Sequence, residues 1–496
     1  MIRNLKNVAA TLCAASVFLA CSDFLDIRPE GTTPSEGLDY SLKENVFKPV
    51  SAAYASMRSG KVHAFPYICA FEITSDNADK GSSVEDNPTA QALDDFTIDA
   101  SNSIVNELWE GYFDVVSAAN NAICQMPLFD EAIQNVQTKI YIDQCEAEAR
   151  TIRAYAYFNL LRMFGSVPLV DTLLTADELA SLKQVPRDEL FDFISQDLDY
   201  AIENLPVSYP RSDAGRITSY TAMGIKAKVM MYKGDWEEVA FLTDSIIASG
   251  RYSLVPVFRT VFSIEGENGP ESLFEIQSST LGGVTGTAPY MEYAYVQGPR
   301  GNSPANMQGW GFCTPSDDLI EFYRLRNEVV RPAATLLYRG TITPEGDEIK
   351  ETCTNPVYNG KVYTPSSYNT WSFNGYGYDH NVRILRYSDI LLMYAEARLN
   401  GATSGELSGL TADDAVDMVR NRAGLQKIGT LTMNDVWDER RAELAMEEDR
   451  FFDLVRTGQA ASILASKGFV SGRNELLPIP ANQRQLNPNL KQNPGY

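Results

Sequence analysis

Apolar residues recur at spacings of three and four along most of the chain, the signature of helices with one face turned to a core. Between residues 104 and 124, Val105, Leu108, Tyr112, Val115 and Val116 fall on one such face, and Trp109 among them is expected to pack in the core. Between 143 and 164, Ile152, Tyr155, Phe158 and Leu161 repeat every three residues, until Gly165 and Pro168 end the run. The same periodicity predicts helices over 42–58, 187–204, 218–233, 236–249, 387–399, 412–422 and 434–457. The pair at 218–249 turns on Gly234-Asp235 and carries small Ala227, as tetratricopeptide-like helix pairs do, although Val239 stands where such repeats favour Ala.

The periodicity fails in two long stretches, 264–315 and 341–383, which are rich in Gly, Pro, Ser and Tyr. Loops of this length inside a domain are usually functional or disordered, and the high aromatic content argues against disorder. The predicted class is therefore mainly α, helix pairs interrupted by long aromatic-rich loop insertions.

The start of the chain follows another pattern. Arg3 and Lys6 precede an apolar run from Val8 to Ala20. That run suits the hydrophobic region of a secretory signal and is shorter than the ~20 residues needed to span a bilayer. It ends in Phe18-Leu19-Ala20-Cys21, which resembles a bacterial lipobox with Cys21 as the acylated residue. Leu is usual where Phe18 stands and a small residue where Leu19 stands, so the motif alone leaves ordinary cleavage near Ala20 as the alternative. Ser22-Asp23 resembles a surface-export signal. The expected organisation is a signal peptide over 1–20 and a lipid-anchored leader over 21–40, which Phe24 and Leu25 could pin to the core. A single domain over 41–496 follows. Within it, about 41–260 forms the helix-repeat part, 261–383 the loop-rich ligand-binding part and 384–496 the closing helices.

Charge and composition narrow the function. The formal charge is −23, and losing Arg3 and Lys6 with the signal makes it −25. Nucleic-acid binding needs a basic footprint and is excluded on this ground. Polyanionic ligands are disfavoured more weakly, because one basic groove would escape a whole-chain sum. After Cys13 and Cys21, five scattered Cys remain without CxxC or zinc spacing, so buried free thiols are expected. The two His, His63 and His380, are expected at surface or loop positions and nearly exclude a His-rich metal site. No cofactor and no metal centre is called for. The acidic 76–86 loop permits calcium, but solvation is the simpler reading. Against this poverty of catalytic groups stand 25 Tyr, 22 Phe and 5 Trp, the composition of a binder rather than a catalyst.

Seven segments in order resemble the SusD/RagB family along nearly the whole mature chain. They are CSDFLDIRPEG from Cys21, AEARTIRAYAYFNLLRMFGSVPLV from Ala147, VPRDELFDFISQDLDYAIENLP from Val185, ILRYSDILLMYAEARLNG from Ile384, VRNRAGL from Val419, the run from Glu439 to Arg456, and the closing LLPIPANQRQLNPNLKQNPGY. The chain departs from the family where Glu448-Asp449 replaces the usual Gly before Arg450, and where Thr457 replaces a common Trp. The resemblance implies a SusD-like α-helical fold, an aromatic-lined ligand surface built by inserted loops, and a lid-like place over a SusC-like TonB-dependent transporter in the outer membrane. The implied cargo is oligosaccharide, with peptide as the alternative, and the resemblance strengthens the lipid-anchor reading.

Sugar rings bind by stacking an aromatic on their C–H face and hydrogen-bonding at the rim. The loops offer Tyr290, Tyr293, Tyr295, Trp310 and Phe312, then Tyr358, Tyr363, Tyr368, Trp371, Phe373, Tyr376 and Tyr378, with Asn369 and Asn374 as rim donors. If extended, Tyr293-Ala294-Tyr295 would turn two rings to one side. Asp76, Asn77 and Asp79 sit where family members often place polar ligand contacts. The favoured ligand residues are Tyr290, Tyr293, Tyr295, Trp310, Trp371, Asp76, Asn77 and Asp79; the competing reading of each aromatic is that it packs its own loop. No catalytic residue is assigned. Arg440 with Glu443, Glu447 with Arg450 and Asp453 with Arg456 are three apart, the spacing of ordinary helix ion pairs. Arg386, Asp389 and Glu396 are read as holding the fold. A surface glycosidase, whose two carboxyls would face across a sugar, is the rival from another class.

Overall fold

The computed structural model describes residues 37–278, 292–304, 307–368 and 380–496. Eight of the nine predicted helices form as single helices: α1 (Phe47–Ser56), α2 (Ser103–Ile133), α3 (Val136–Phe164), α4 (Arg187–Asn204), α5 (Ser219–Lys233), α6 (Trp236–Ala248), α7 (Tyr387–Leu399) and α8 (Ala412–Arg422). Each packs on the next in chain order, so the helices form a sequential stack within the unit that spans Tyr40–Tyr496. The α6–α7 contact belongs to the same series although the whole loop-rich region lies between those helices.

Local chemistry sets the helix ends. Asn102 caps α2 by accepting from the N–H of Ile104 at 3.0 Å, and Asn135 caps α3 by accepting from Gln137 N–H at 3.0 Å. Between them Gln134 takes a left-handed φ of 47°, ending α2. Both helices outrun the periodicity: α2 carries Pro127 inside it, and α3 begins seven residues before Asp143. From Thr151 to Phe164 α3 is buried all round, with α2 and α4 both packed along it. Its polar side chains are matched internally. Arg153 donates to Asp197 at 2.8 Å and to Asn120 at 2.7 Å, tying three helices together. No helix among the described residues is long and apolar enough to cross a membrane.

The region between α6 and α7 is more ordered than the loop reading implies. It holds β2 (Ser272–Ile276), β3 (Phe312–Pro315), β4 (Leu336–Tyr338), β5 (Thr341–Ile342), β6 (Glu348–Ile349), β7 (Val357–Asn359) and β8 (Val382–Arg386). β2 pairs antiparallel with β8, so the two ends of the insertion are clasped together. β4–β7 and β5–β6 are small antiparallel ladders, and β3 pairs with β1 (Ala78–Gly81) from the N-terminal part.

The expected helix over 434–457 is broken in two, α9 (Met433–Leu444) and α10 (Arg450–Arg456). Met446 and Glu448 adopt left-handed φ values of 65° and 63°. Their N–H groups, which a continuous helix would use itself, donate instead to the buried carboxylate of Glu72 at 3.3 and 2.7 Å. The ion pairs also differ from the expected ones. Only Asp453 with Arg456 forms as the spacing predicts, at 2.7 Å. Arg440 turns to Asp389 at 2.6 Å, Glu443 to Arg386 at 3.0 Å and Glu447 to Lys361 at 2.6 Å. Arg386, Asp389 and Glu396 are buried in these networks; Glu396 accepts from Arg456 at 2.6 Å.

The two histidines stand at loop positions, as expected, but are buried in the core rather than on the surface. His63 Nδ1 lies 2.7 Å from the Met57 carbonyl and Nε2 lies 2.9 Å from the Tyr155 hydroxyl. Burial lowers its pKa to about 4, so the ring is neutral at pH 7. His380 is buried too. Cys69, Cys145, Cys313 and Cys353 are buried free thiols, and Cys124 is half-buried and free.

Candidate functional site

The β1–β3 ladder brings the acidic loop and the first aromatic loop side by side, with Ala78 opposite Pro315 and Gly81 opposite Phe312. Gly81 makes the approach possible. Its φ is +68°, and a Cβ there would lie 2.5 Å from the Gly311 carbonyl oxygen. Ser82 follows, and its N–H donates to that carbonyl at 2.6 Å. The Ser82 hydroxyl lies 2.8 Å from both the Trp310 carbonyl and the Asp86 carboxylate. Arg300 closes the cluster by pairing with Asp86. Hydrogen bonds from the Ser82 hydroxyl and the Ser83 N–H, with Arg300 beside them, hold the Asp86 carboxyl below its usual range.

Above this polar cluster sits a pair of rings. Tyr295 meets Trp310 edge to face, centroids 5.8 Å apart. Tyr295 is 9% exposed, whereas Trp310 is only half-buried, so the indole is the ring that can offer a face. Phe65, also half-buried, packs on Phe312 at 4.6 Å. Gly309 lets the two backbones meet: a Cβ there would come within 2.4 Å of both the Gly298 Cα and the Tyr295 carbonyl oxygen. The result is an aromatic shelf beside a charged, hydrogen-bonding rim, the pairing of apolar face and polar edge that a sugar ring presents.

The favoured sequence residues fare differently. Asp76 and Asn77 are turned inward. Asp76 accepts from Arg450 at 2.8 and 2.9 Å and pairs with Arg441 at 3.0 Å, and Asn77 Oδ1 accepts from Arg441 at 3.0 Å. Their side-chain oxygens are engaged by arginines rather than offered outward. Asp79 is exposed, 3.8 Å from Lys467. Tyr293 and Tyr295 lie on a short helix, Tyr293–Gln297, not an extended strand. Their rings therefore diverge: Tyr295 goes to Trp310, while the Tyr293 hydroxyl donates to the buried Glu448 at 2.7 Å. Tyr358 and Tyr363 pack a satellite core with Leu337, Ile349 and Cys353. Tyr290, Trp371, Phe373, Tyr376, Tyr378, Asn369, Asn374 and Cys21, with the signal and most of the leader, lie outside the described residues.

Phe65, Ser82, Asp86 and Arg300 join the site without any signal that singled them out. Asp86 belongs to an acidic loop and Arg300 to a Gly-Pro-Arg-Gly turn; only the β1–β3 pairing makes neighbours of them. A separate hollow of about 650 Å³ is lined by Trp109, Phe113, Leu174, Leu182 and Leu490 among others. Its leucine-rich walls suit an apolar chain rather than a hydroxylated ring. No group of three or more His, Cys, Asp or Glu among the described residues is arranged to hold a metal.

Comparison with known proteins agrees with this architecture. A family model described as the SusD family matches residues 335–496, and one described as starch-binding associating with outer membrane matches residues 23–231. The chain belongs to the SusD/RagB family. Among its SusD-like relatives is a protein of Bacteroides ovatus, 29% identical over 464 residues that cover 89% of this chain and 80% of that one. The SusD fold is matched by a laminarin-binding SusD-like protein at 26% identity and a TM-score of 0.78, over 91% of this chain and 99% of the other. Surface glycan-binding protein A of Bacteroides fluxus matches at 26% identity and a TM-score of 0.78, over 92% of this chain and all of that one. The mainly α architecture with inserted loops is thus that of the SusD family.

Proposed function

We propose that this protein captures oligosaccharide at the outer face of the cell and passes it to a SusC-like TonB-dependent transporter, with no covalent chemistry. The observation that carries the reading is the half-buried Trp310, braced edge-on by Tyr295 over the Ser82–Asp86–Arg300 rim. Three further observations support it. Two similar structures are described as laminarin-binding and glycan-binding. One matching family model is described as starch-binding and associated with the outer membrane. The signal-like start with Cys21 gives a route to that membrane through a lipid anchor, where acyl chains add ~0.8 kcal/mol per buried CH₂.

In this mechanism binding is equilibrium capture. Trp310 stacks on a ring face, Arg300 and Asp86 hydrogen-bond the ring hydroxyls, and Phe65 and Asp79 flank the path of a longer chain. Tyr290 and Trp371 belong to the proposal on sequence grounds alone. A stacked ring contributes only ~1 kcal/mol beyond its buried area, so affinity is modest and release to a transporter is easy. Screening the purified chain on a glycan array, with co-purified peptides sought by mass spectrometry, tests the cargo class. Retention of glycans is expected, and capture of peptides alone would overturn the reading. Product release from the bound glycans would support the hydrolase alternative instead.

A further inference from the structure

The turn between α9 and α10 joins the two halves of the shelf. On one side Glu72 receives the N–H groups of Met446 and Glu448. Glu72 lies on the π turn Cys69–Ile73, just ahead of β1 and the Ser82–Asp86 loop. On the other side the turn holds the Tyr293 helix at two points. Tyr293 donates its hydroxyl proton to Glu448 Oε1 at 2.7 Å. Asn359 lies within 2.9 Å of Gln297 Oε1 and 3.4 Å of the Met446 carbonyl, bridging the far end of that helix to the turn. The Tyr293 helix carries Tyr295, and Tyr295 braces Trp310.

Glu448 is an unusual residue for this place. It is 1% exposed, in a left-handed conformation, and its second carboxyl oxygen has no hydrogen-bond partner among the described residues. The carboxylates nearby have partners of their own. Glu447 pairs with Lys361 and Arg386, Asp449 with Lys228 and Arg162, and Glu72 with the two backbone N–H groups. Glu448 has no cation partner among the described residues. The remaining titratable groups that face it are Tyr67, Tyr293 and Cys313, all neutral.

We propose that Glu448 is the positioning residue of the aromatic shelf, and that ligand capture is sensitive to pH through its carboxyl. Burial, reinforced by the neighbouring Glu72, pushes the Glu448 carboxyl well above its usual range. The neutral acid accepts from Tyr293 and keeps the helix seated. Loss of its proton strengthens that one hydrogen bond but sets a second carboxylate beside Glu72 in a dry interior with no cation to meet it, a cost the turn relieves by opening to water and drawing Tyr293 with it. Trp310 then loses its brace. The binding half of this inference rests on the glycan reading above; the seating of Trp310 does not.

The test compares the mature chain, E448Q and W310F. Glutamine keeps the acceptor for Tyr293 and cannot ionise. The Trp310 contribution to tryptophan emission, taken as the difference from W310F, is followed upward from about pH 5 for as long as circular dichroism shows the fold intact. Burial raises Glu72 to about 7, so it titrates in every variant, and the comparison is read above about pH 7.5. The native protein should shift its Trp310 emission there and E448Q should not. Affinity for laminarihexaose should fall in the same window, by at most about tenfold per pH unit for one linked proton, and stay flat in E448Q. Trp310 emission that is flat in the native protein, or that titrates equally in E448Q, overturns the proposal. An emission shift without hexasaccharide binding at any pH leaves the positioning role standing and counts against the glycan reading.

Discussion

At the scale of single residues, the decisive distinction is between a polar side chain offered to a ligand and one spent on the fold. Asp76 shows how the two are confused. Its place in an acidic, Gly- and Ser-bearing loop suggests a rim contact, yet its partners are Arg441 and Arg450, more than 360 residues away in sequence. Local pattern carries no information about a pairing of that separation. Removing the carboxylate strands the buried Arg450 guanidinium and takes one of several partners from Arg441, a loss of about 3–5 kcal/mol. D76A should therefore lower the urea midpoint sharply. A D76A protein with native stability but no glycan affinity would return Asp76 to the binding surface. His63 teaches the same lesson from the opposite side: a residue type rare in the chain is not thereby exposed, because Tyr155 and the Met57 carbonyl satisfy both ring nitrogens in the core.

At the scale of elements, helices α4, α7 and α8 match their predicted bounds, α8 with a Thr411 capping box to mark its start and α7 although it is buried on every side. The α9–α10 break was not legible, since the run from Glu439 to Arg456 is rich in good helix formers. What breaks it is tertiary: Glu72 competes for the turn's N–H groups. The turn has a thermodynamic signature. The folded state holds the Glu448 proton that the unfolded chain gives up near its ordinary value, so this carboxyl subtracts stability as pH rises from about 4.5 towards its folded pKa. E448Q lacks that penalty. Its stability relative to the native protein should grow by up to about 1.4 kcal/mol per pH unit in this window, measured by chemical denaturation at several pH values. A constant difference would show that Glu448 is ionised in the fold. The loop segments were legible as aromatic-rich but not as ladders, because strands of two to five residues leave no periodicity to read.

At the scale of the whole molecule, a sequential helix stack supplies the frame, and one insertion between α6 and α7 supplies Tyr295, Arg300 and Trp310 of the shelf. The clasp of β2 on β8 fixes the base of that insertion, and the β1–β3 ladder fixes its first part against the N-terminal half. The family was legible from the ordered segments, whose sequence order composition cannot mimic. The site was legible only as a region: Trp310 and Tyr295 fall in it, while Phe65, Asp86 and Arg300 enter through pairings made by the fold. The central claim is that a stacking ring on this shelf captures sugar. Isothermal titration of the native protein and W310A with a glycan selected on the array tests it most directly. The account predicts that W310A keeps its fold by circular dichroism and loses about tenfold in affinity, roughly the 1.4 kcal/mol of one stacked ring; equal affinity in the two proteins would contradict it.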